Sequence, residues 1–461
     1  MNESIKSCIS TGNEQMDEVL KGGFPANSIN IIMGQPGTGK TVFAEQLVFH
    51  HALENDRPIL YLTTLSEPAA KILTYLQRFS FYDDDKVGTC VYYQDIGEEL
   101  ATGGITAIIP LVEESIHTLS PKIIVIDSFK ALHDLAQSTT DMRRMLHKLT
   151  GMLTAFETTV FLIGEYTDEH FRTLPEFAIA DGIVQFLRNP QSTRDERFVR
   201  VIKLRGSGYL EGLHGCKITN AGVEIFPRLV TPELPTDYKV STERLPSGIP
   251  GLDQVIGGGF RRGSCTLLAG PTGAGKTTFG LQFALAGMNS KSEAKSLFLN
   301  FQENPTQLAR CLEMLQGDSK DNLELMYVSP VEMQVDSLIV ALFKRIESEK
   351  ISRIVVDSVG DLATATSDTQ RLHDYLYALV QHFAAKGVTS VITLEDAALV
   401  EPSSRPNMGR VSYLSDNIIT LHLRHEQKPR RELRCVKARG SDHDLAAHEF
   451  SITEHGIKVQ S

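Results

Sequence analysis

The chain contains the same sequence pattern twice. Glycines, a lysine–threonine pair, a glutamate, an aspartate and a Lys-x-Arg-Gly-Ser run recur in the same order, first at a shift of 236 residues and later at 230 and 234. The matching pairs are Gly12 with Gly248, 34–41 with 270–277, Glu67 with Glu303, Asp127 with Asp357, and 203–207 with 437–441. An internal duplication of this extent predicts one fold present in two tandem copies.

The segment between the two copies has the composition of a connector. Four prolines stand among polar residues between 227 and 246, and such a run favours an extended linker. At roughly 100–200 residues per domain, 461 residues leave room for both copies. We predict a first domain over 1–228, a linker over 229–245 and a second domain over 246–461.

Short β-branched runs alternate with helical patterns in each half, which predicts mostly parallel sheets flanked by helices. The fold class is therefore α/β. The predicted strands are 29–33, 59–63, 122–126 and 160–164, then 265–269, 296–300, 353–356 and 388–393, with helices at 41–53 and 141–156. The late strands 198–204, 418–424 and 432–438 have no helix between them and predict a hairpin at the sheet edge.

Composition excludes several classes of protein. The 46 Lys and Arg residues against 57 Asp and Glu give a formal net charge of −11, which disfavours nucleic acid as a partner. Six scattered cysteines without a C-x-x-C pair indicate a reducing cytoplasm. No apolar run approaches the roughly 18 residues of a membrane span, and residues 1–10 lack a secretion signal. We expect a cytoplasmic protein without membrane contact.

Each half has a glycine-rich loop that fits G-x-x-x-x-G-K-[ST] between a predicted strand and a predicted helix. Glycines let successive backbone N–H groups point at phosphate oxygens, and the lysine adds a mobile positive charge. Each half is therefore predicted to bind a nucleotide. The candidate nucleotide-binding residues are Gly34, Gly37, Thr38, Gly39, Lys40 and Thr41, then Gly270, Gly273, Ala274, Gly275, Lys276, Thr277 and Thr278.

Magnesium that accompanies nucleotide phosphates needs oxygen ligands. Thr41 and Thr277 close the two loops, and Asp127 and Asp357 each end an apolar run that predicts a buried strand. We predict that these residues hold Mg²⁺, one threonine and one aspartate per half. An apolar run ending in Asp-Ser is also compatible with a plain strand end followed by a turn.

Hydrolysis needs a carboxylate that orients or deprotonates the attacking group beside the phosphate loop. Glu67 and Glu303 follow the second predicted strand of each half, in register with one another. They are the candidate catalytic bases, and the alternative is a pair of exposed loop glutamates.

Two cations recur on a late strand of each half. Lys203 with Arg205, and Lys437 with Arg439, lie on one strand face because side chains repeat every second residue. A solvated strand face is one interpretation. The other is a pair that reaches the γ-phosphate bound by a neighbouring subunit, which requires a ring of subunits.

These motifs together resemble the KaiC family of circadian-clock ATPases and autokinases, from about residue 11 to residue 457. The resemblance implies two tandem RecA-like P-loop NTPase domains and ATP with Mg²⁺ as cofactors. It also implies a two-tiered homohexamer with ATP between subunits. The first tier would hydrolyse ATP, and the second would phosphorylate serine or threonine on the neighbouring subunit.

The chain departs from that family at its paired catalytic glutamates. The pair falls on Ser66 and Glu67 in the first half and on Gln302 and Glu303 in the second, so only the second member is kept each time. Nucleotide binding is unaffected by this departure. Glu67 and Glu303 are expected to serve alone, as single glutamates do in related RecA-like ATPases.

The family's adjacent Ser-Thr phosphoacceptors fall on Ser412 and Tyr413. Ser412 is therefore the candidate phosphoacceptor, with Ser415 the next hydroxyl along the chain. Phosphorylation would add roughly −1.5 to −2 charge near a subunit junction. The alternative is that Ser412 is a polar residue at a strand end.

The family's clock members carry a long C-terminal extension gripped by a stimulatory partner. This chain ends at Ser461, so we expect no regulation through such a tail, and a smaller KaiB-like protein is the expected regulatory partner. Two other functions share the core: a nucleotide-gated assembly scaffold without kinase activity, and a RecA-like DNA motor. The net charge of −11 conflicts with the motor.

Overall fold

The computed structural model describes residues 8–54, 57–64, 69–190, 195–233, 241–286, 295–315, 322–364, 368–395, 412–424 and 430–460. The chain divides into two compact units, Met1–Arg228 and Leu229–Ser461. Among the described residues, none of the helices combines the length and the hydropathy that crossing a bilayer requires.

In the first unit the described strands and helices alternate through most of the chain. The strands are β1 (Cys8–Ile9), β2 (Phe24–Pro25), β3 (Ile29–Gly34), β4 (Ile59–Thr63), β5 (Val91–Asp95), β6 (Ile123–Asp127), β7 (Thr159–Gly164), β8 (Gly182–Pro190), β9 (Asp195–Leu204), β10 (His214–Thr219) and β11 (Gly222–Phe226). The helices are α1 (Glu14–Val19), α2 (Lys40–Glu54), α3 (Ala69–Leu76), α4 (Gly97–Gly103), α5 (Ile108–Leu119), α6 (Phe129–Leu135), α7 (Thr139–Ala155), α8 (Asp168–Thr173) and α9 (Glu176–Ile179).

The second unit follows the same order. Its described strands are β12 (Arg244–Leu245), β13 (Phe260–Arg261), β14 (Cys265–Gly270), β15 (Lys295–Asn300), β16 (Leu323–Tyr327), β17 (Ile351–Asp357), β18 (Thr389–Glu395), β19 (Asn417–Arg424), β20 (Arg430–Ala438), β21 (His448–Thr453) and β22 (Gly456–Val459). Its helices are α10 (Leu252–Val255), α11 (Lys276–Ala286), α12 (Pro305–Leu315), α13 (Val335–Ser348), α14 (Val359–Thr364) and α15 (Thr369–Ala385).

Each unit is built on one large sheet, and the two sheets have the same topology. In the described residues the strand order is β11-β10-β9-β8-β3-β7-β6-β4-β5 in the first and β22-β21-β20-β19-β14-β18-β17-β15-β16 in the second. The strands from β8 through β5, and from β19 through β16, pair in parallel. The predicted α/β fold with two tandem RecA-like domains is confirmed.

Helices bury both faces of the central strands. In the first unit, Ile32 on one face packs with Phe43 of α2, while Ile31 on the other packs in the cluster that contains Leu146 of α7. Every residue of β3 is buried, which explains why apolar residues face both sides of the sheet, with Asn30 as the one polar side chain. Burial of each isoleucine or methionine side chain contributes about 1.5–3 kcal/mol to folding.

The antiparallel edge is wider than the predicted hairpin. β9, β10 and β11 all pair antiparallel beyond β8, and β20 to β22 repeat this in the second unit. The sequence analysis missed β10 and β11, whose sequences, HGCKIT and GVEIF, contain glycine and charged residues and no continuous β-branched run. They are joined by a tight turn that ends at Gly222, whose φ of 106° is a backbone conformation that favours glycine.

Candidate active site

The phosphate loop of each unit lies where the central strand meets the following helix. The loop at 34–41 joins β3 to α2, and the loop at 270–277 joins β14 to α11. Gly37 and Gly39 have φ values of 71° and 103°, and their counterparts Gly273 and Gly275 have 78° and 102°. The two loops therefore share their backbone conformation at these two glycines, with the first turn of a helix directly behind each.

The two loop lysines lie across their own loops. Lys40 Nζ donates to Gln35 O at 2.8 Å, and Lys276 Nζ donates to Gly270 O and Pro271 O, both at 2.9 Å. Burial lowers the pKa of both lysines, which shows that each ammonium is partly removed from water. An anionic ligand at the loop would find an ammonium already in place.

Each loop threonine contacts the predicted aspartate of its own unit. Thr41 Oγ1 donates to Asp127 Oδ2 at 2.9 Å, and Thr277 Oγ1 donates to Asp357 Oδ2 at 2.9 Å. Each aspartate ends the strand two places from the central strand, and the peptide bond that follows it is cis. The structure thus brings these predicted residues together, with equal distances in both units.

Of the two predicted catalytic glutamates, the structure describes only Glu303. Ser66 and Glu67 lie outside the described residues. Glu303 is half-buried in the second unit, and burial, followed by the charge of Asp357, raises its pKa. Its side chain lines the same cavity as Thr277 and Asp357, and the turn is held by Asn300, whose Oδ1 accepts from the backbone N–H of Glu303 at 3.2 Å. This geometry puts a carboxylate beside the threonine–aspartate pair.

Asp361 is a site residue that the sequence analysis missed. Gln302 Nε2 donates to both of its carboxylate oxygens, at 2.9 and 3.2 Å, and Ser358 Oγ donates to Oδ2 at 2.7 Å. Asp361 is buried on α14, four residues after Asp357. The corresponding residue of the first unit, four after Asp127, is Ala131.

A second pair of carboxylates was also missed. Glu165 follows β7 and Glu395 ends β18, and each raises the pKa of the loop lysine in its own unit, against the larger effect of burial. Thr272 in the second loop also donates to the Glu395 carboxylate. The signal was present in the sequence, because Glu165 and Glu395 each lie 38 residues after the aspartate of their own half.

Each loop opens on a cavity lined by the loop lysine, the loop threonine and the aspartate of its own unit. The cavity of the first unit measures about 390 Å³ and that of the second about 340 Å³, within the range of small-molecule sites. The first is lined by Lys40, Thr41, Ile72, Asp127, Ser128, Lys130, Ala131, Asp134, Gly164 and Glu165. The second is lined by Thr272, Gly273, Gly275, Lys276, Thr277, Thr278, Asn300, Gln302, Glu303, Asp357, Ser358, Glu395 and Ile452.

The Lys-x-Arg pair of the first unit lies toward the other end of the sheet. Across the sheet, Lys203 pairs with Ile183 of β8, and Ile183 pairs with Ile31 of β3. Lys203 therefore lies level with Ile31, three residues before the loop begins at Gly34. Its Nζ donates to the backbone of α9 at 3.3 Å, and Arg205, just past the end of β9, contacts Asp181 at 3.4 Å. The pair is therefore turned away from its own phosphate loop.

The pair of the second unit has the same placement. Lys437 is opposite Ile418, and Arg439, just past β20, lies 3.6 Å from Asp416. Lys437 Nζ donates to Ser415 O at 2.6 Å and to Ser412 O at 3.4 Å. The candidate phosphoacceptor is thus beside these cations, at the end of the sheet opposite its own loop.

The two candidate phosphoacceptors differ in accessibility. Ser415 is buried, with 2% of its surface exposed, whereas Ser412 is partly exposed. A hydroxyl must reach the γ-phosphate to accept it, so the described structure favours Ser412 over Ser415.

Comparison with known proteins matches both units to the same protein family. The family model described as "ATPase: KaiC" matches residues 9–230 and 245–461. The circadian clock oscillator protein KaiC of Picosynechococcus sp. is 27% identical over 100% of this chain and 91% of its own length. The KaiC protein of Acaryochloris marina is 26% identical over 98% of this chain and 88% of its own length. That of Synechococcus elongatus is 25% identical over 97% of this chain and 88% of its own length.

Proposed function

The chain belongs to the KaiC family of ATPases, and we propose that it hydrolyses ATP in both units and phosphorylates Ser412 of a neighbouring copy with its second unit. The observation that carries the proposal is the threonine–aspartate hydrogen bond below each phosphate loop, 2.9 Å long in both units. A duplicated site with conserved geometry is what two nucleotide-binding tiers require.

The residues around each loop fit magnesium and a nucleotide. A threonine hydroxyl and an aspartate carboxylate are hard oxygen donors of the kind that Mg²⁺ prefers, and the lysine suits a polyphosphate. We assign Thr41 with Asp127, and Thr277 with Asp357, to the cation. When bound, Mg²⁺ would neutralise charge on the terminal phosphates. The loop N–H groups and the lysine hold the phosphates in the same place.

The roles of the remaining groups follow from their positions. Glu303 is proposed to accept the proton of the attacking hydroxyl, since it lies beside Thr277 in the cavity. Glu67 is proposed to do the same for water in the first unit.

The Lys-x-Arg pairs are proposed to act on the nucleotide of a neighbouring copy. They lie toward the end of the sheet that is opposite their own loop, so one chain does not bring them to its own γ-phosphate. In a ring, the end of the sheet that carries the phosphate loop in one copy can face the end that carries the Lys-x-Arg pair in the next copy. Each nucleotide is then contacted by both. A homohexamer is the ring size that the family implies.

Phosphate mapping after incubation with γ-labelled ATP tests the kinase. We expect label on Ser412, loss of that label in Ser412→Ala, and its retention in Ser415→Ala as the matched control. ATP hydrolysis should persist in both variants. Label that survives Ser412→Ala, or that resides on Ser415, contradicts the assignment.

A nucleotide-gated scaffold is the second candidate, and Gln302 favours it. An amide cannot accept a proton as a glutamate does, and here its Nε2 is bound by Asp361. A scaffold would release no phosphate. Phosphate release that disappears in the double variant Glu67→Gln with Glu303→Gln excludes it in favour of the enzyme. A DNA motor is the least supported, given the net charge of −11.

The remaining proposals concern the chain's surroundings. We propose residues 229–245 as a linker, whose last two residues, Arg244–Leu245, form β12 of the second unit. We also propose a KaiB-like protein as a regulatory partner and the cytoplasm as the location, the last because the six cysteines are scattered. Binding of a purified KaiB-like protein in the presence of ATP, measured by size-exclusion chromatography, tests the partner.

A further inference from the structure

The first unit has a buried polar cluster behind its aspartate. Glu45 of α2, Tyr61 of β4 and Tyr93 of β5 form this glutamate–tyrosine cluster. Glu45 and Tyr61 are fully buried, and the two tyrosine rings are tilted against each other at a centroid distance of 5.2 Å. Buried polar groups of this kind are retained only when they are hydrogen-bonded, so their partners indicate what the cluster does.

The cluster contacts the proposed magnesium site through one hydroxyl. Tyr61 donates to Asp127 Oδ2 at 3.0 Å, and the same oxygen accepts from Thr41 at 2.9 Å. Two donors that converge on one oxygen from different strands and helices fix the rotation of the carboxylate. The tyrosine ring is itself immobile, because it is fully buried between α2 and the sheet.

The rest of the cluster supports Tyr61. Tyr93 donates to Glu45 Oε2 at 2.7 Å. Burial raises the pKa of Glu45 to about 8, while the hydrogen bond from Tyr93 acts in the opposite direction. A glutamate that is mostly neutral at pH 7 adds little repulsion next to Asp127.

The second unit holds its aspartate differently. Glu45 lies five residues after the loop lysine, and the corresponding residue of the second unit is Leu281. Tyr61 pairs with the residue two before Asp127, and the residue paired in the same way before Asp357 is Phe298. Phe298 pairs with Leu325 where Tyr61 pairs with Tyr93. There Thr393 of β18 donates to Asp357 on the other carboxylate oxygen, Oδ1.

We propose that Tyr61 is a positioning residue for Asp127, so that Mg²⁺-dependent nucleotide binding in the first unit depends on a hydroxyl that the second unit lacks. The inference rests on the proposed function, in which Asp127 contacts the cation. It adds that the two tiers hold Mg²⁺ through different supports, a tyrosine in the first and a threonine in the second.

The test isolates the first site in the full chain. Lys276→Ala removes the loop lysine of the second unit, and Tyr61→Phe is then compared in that background by calorimetric titration with ATP, with and without Mg²⁺. We expect Tyr61→Phe to weaken binding of Mg·ATP about tenfold, the lower range for loss of a residue that supports a metal ligand. Binding of ATP without Mg²⁺ should be unchanged, because the hydroxyl donates to the aspartate and not to the loop.

Tyr92→Phe is the matched control. Tyr92 lies on the same strand as Tyr93, and its hydroxyl donates to Thr89 O at 3.1 Å, away from Asp127. Thermal unfolding of each variant shows whether the fold is kept. Equal loss of affinity with and without Mg²⁺, or none, in a folded Tyr61→Phe overturns the inference while the proposed function stands. Absence of any Mg·ATP binding in the Lys276→Ala background overturns both.

Discussion

The two units of this chain have the same topology and the same loop–threonine–aspartate geometry, yet the residues around that geometry differ. Tyr61 contacts the aspartate of the first unit, while Thr393 contacts that of the second. The glutamine that follows β15 is bound by Asp361, and the first unit has Ala131 at that place. The contrast shows that the hydrogen bond between the loop threonine and the aspartate is the same in both units, whereas the side chains around it differ.

The phosphate loop and the residues behind the aspartate differ in how strictly their chemistry limits the sequence. The loop must present N–H groups and a lysine to phosphates, and few sequences form that backbone. A residue behind the aspartate has only to fill space and supply a donor, and a tyrosine or a threonine can do so from different strands. The surroundings of the two aspartates therefore differ while the fold of the two units stays the same.

The largest expected effect tests whether the two loops are separate sites. Lys40→Ala and Lys276→Ala should each reduce nucleotide binding from two sites per chain to one, with affinity at the altered site lowered on the order of 100-fold because a partly buried charge is lost. Calorimetry with Mg·ATP measures the number of sites, and Lys386→Ala on the surface is the control. A Lys40→Ala chain that still binds two nucleotides with unchanged affinity would break the comparison.

A smaller effect is expected where the second unit has an extra carboxylate. Asp361→Ala should reduce phosphate incorporation at Ser412 about tenfold, because Gln302 loses both hydrogen bonds that orient it, while ATP affinity stays the same. The control is Asp374→Ala, since Asp374 also accepts from a glutamine Nε2 at 2.9 Å, on an exposed face of α15. Equal incorporation in Asp361→Ala and in the control would show that Asp361 has only a structural role.

The last expected difference between the units concerns the pH dependence of stability. Glu45 has a folded pKa of about 8 against an ordinary 4.5, so its contribution to stability is complete below the ordinary value and is lost as pH rises to about 8. In Glu45→Gln this loss, up to about 1.4 kcal/mol per pH unit, should be absent from the first unit. The second unit, with Leu281 at this place, should not change.

Urea unfolding followed by limited proteolysis measures this, because fragments report on each unit separately. The exposed Glu98→Gln is the control and should leave the slope unaltered. A wild-type first unit whose stability is flat between about pH 5 and pH 8 would contradict the raised pKa of Glu45.

Much of the fold and half of the site were predictable from local sequence patterns. The strand at 59–63 was predicted with its observed bounds, and the central strands differ by one or two residues at their ends. Asp127 and Asp357 were found because an apolar run ends at each. Asp361 and Glu45 were not found, since a single acidic residue within a helix reads as a solvated one until its neighbours in space are known.

The sequence by itself determined the duplicated α/β architecture, the two phosphate loops and the family, because those features depend on short-range glycine spacing and on the alternation of strands and helices. Only the tertiary structure decided which side chains support each aspartate, and which end of the sheet carries the Lys-x-Arg pairs and Ser412. Such contacts join residues far apart in sequence, as between Tyr61 and Asp127, which are 66 positions apart. Strand order and register bring those residues together, and neither is encoded in a local pattern.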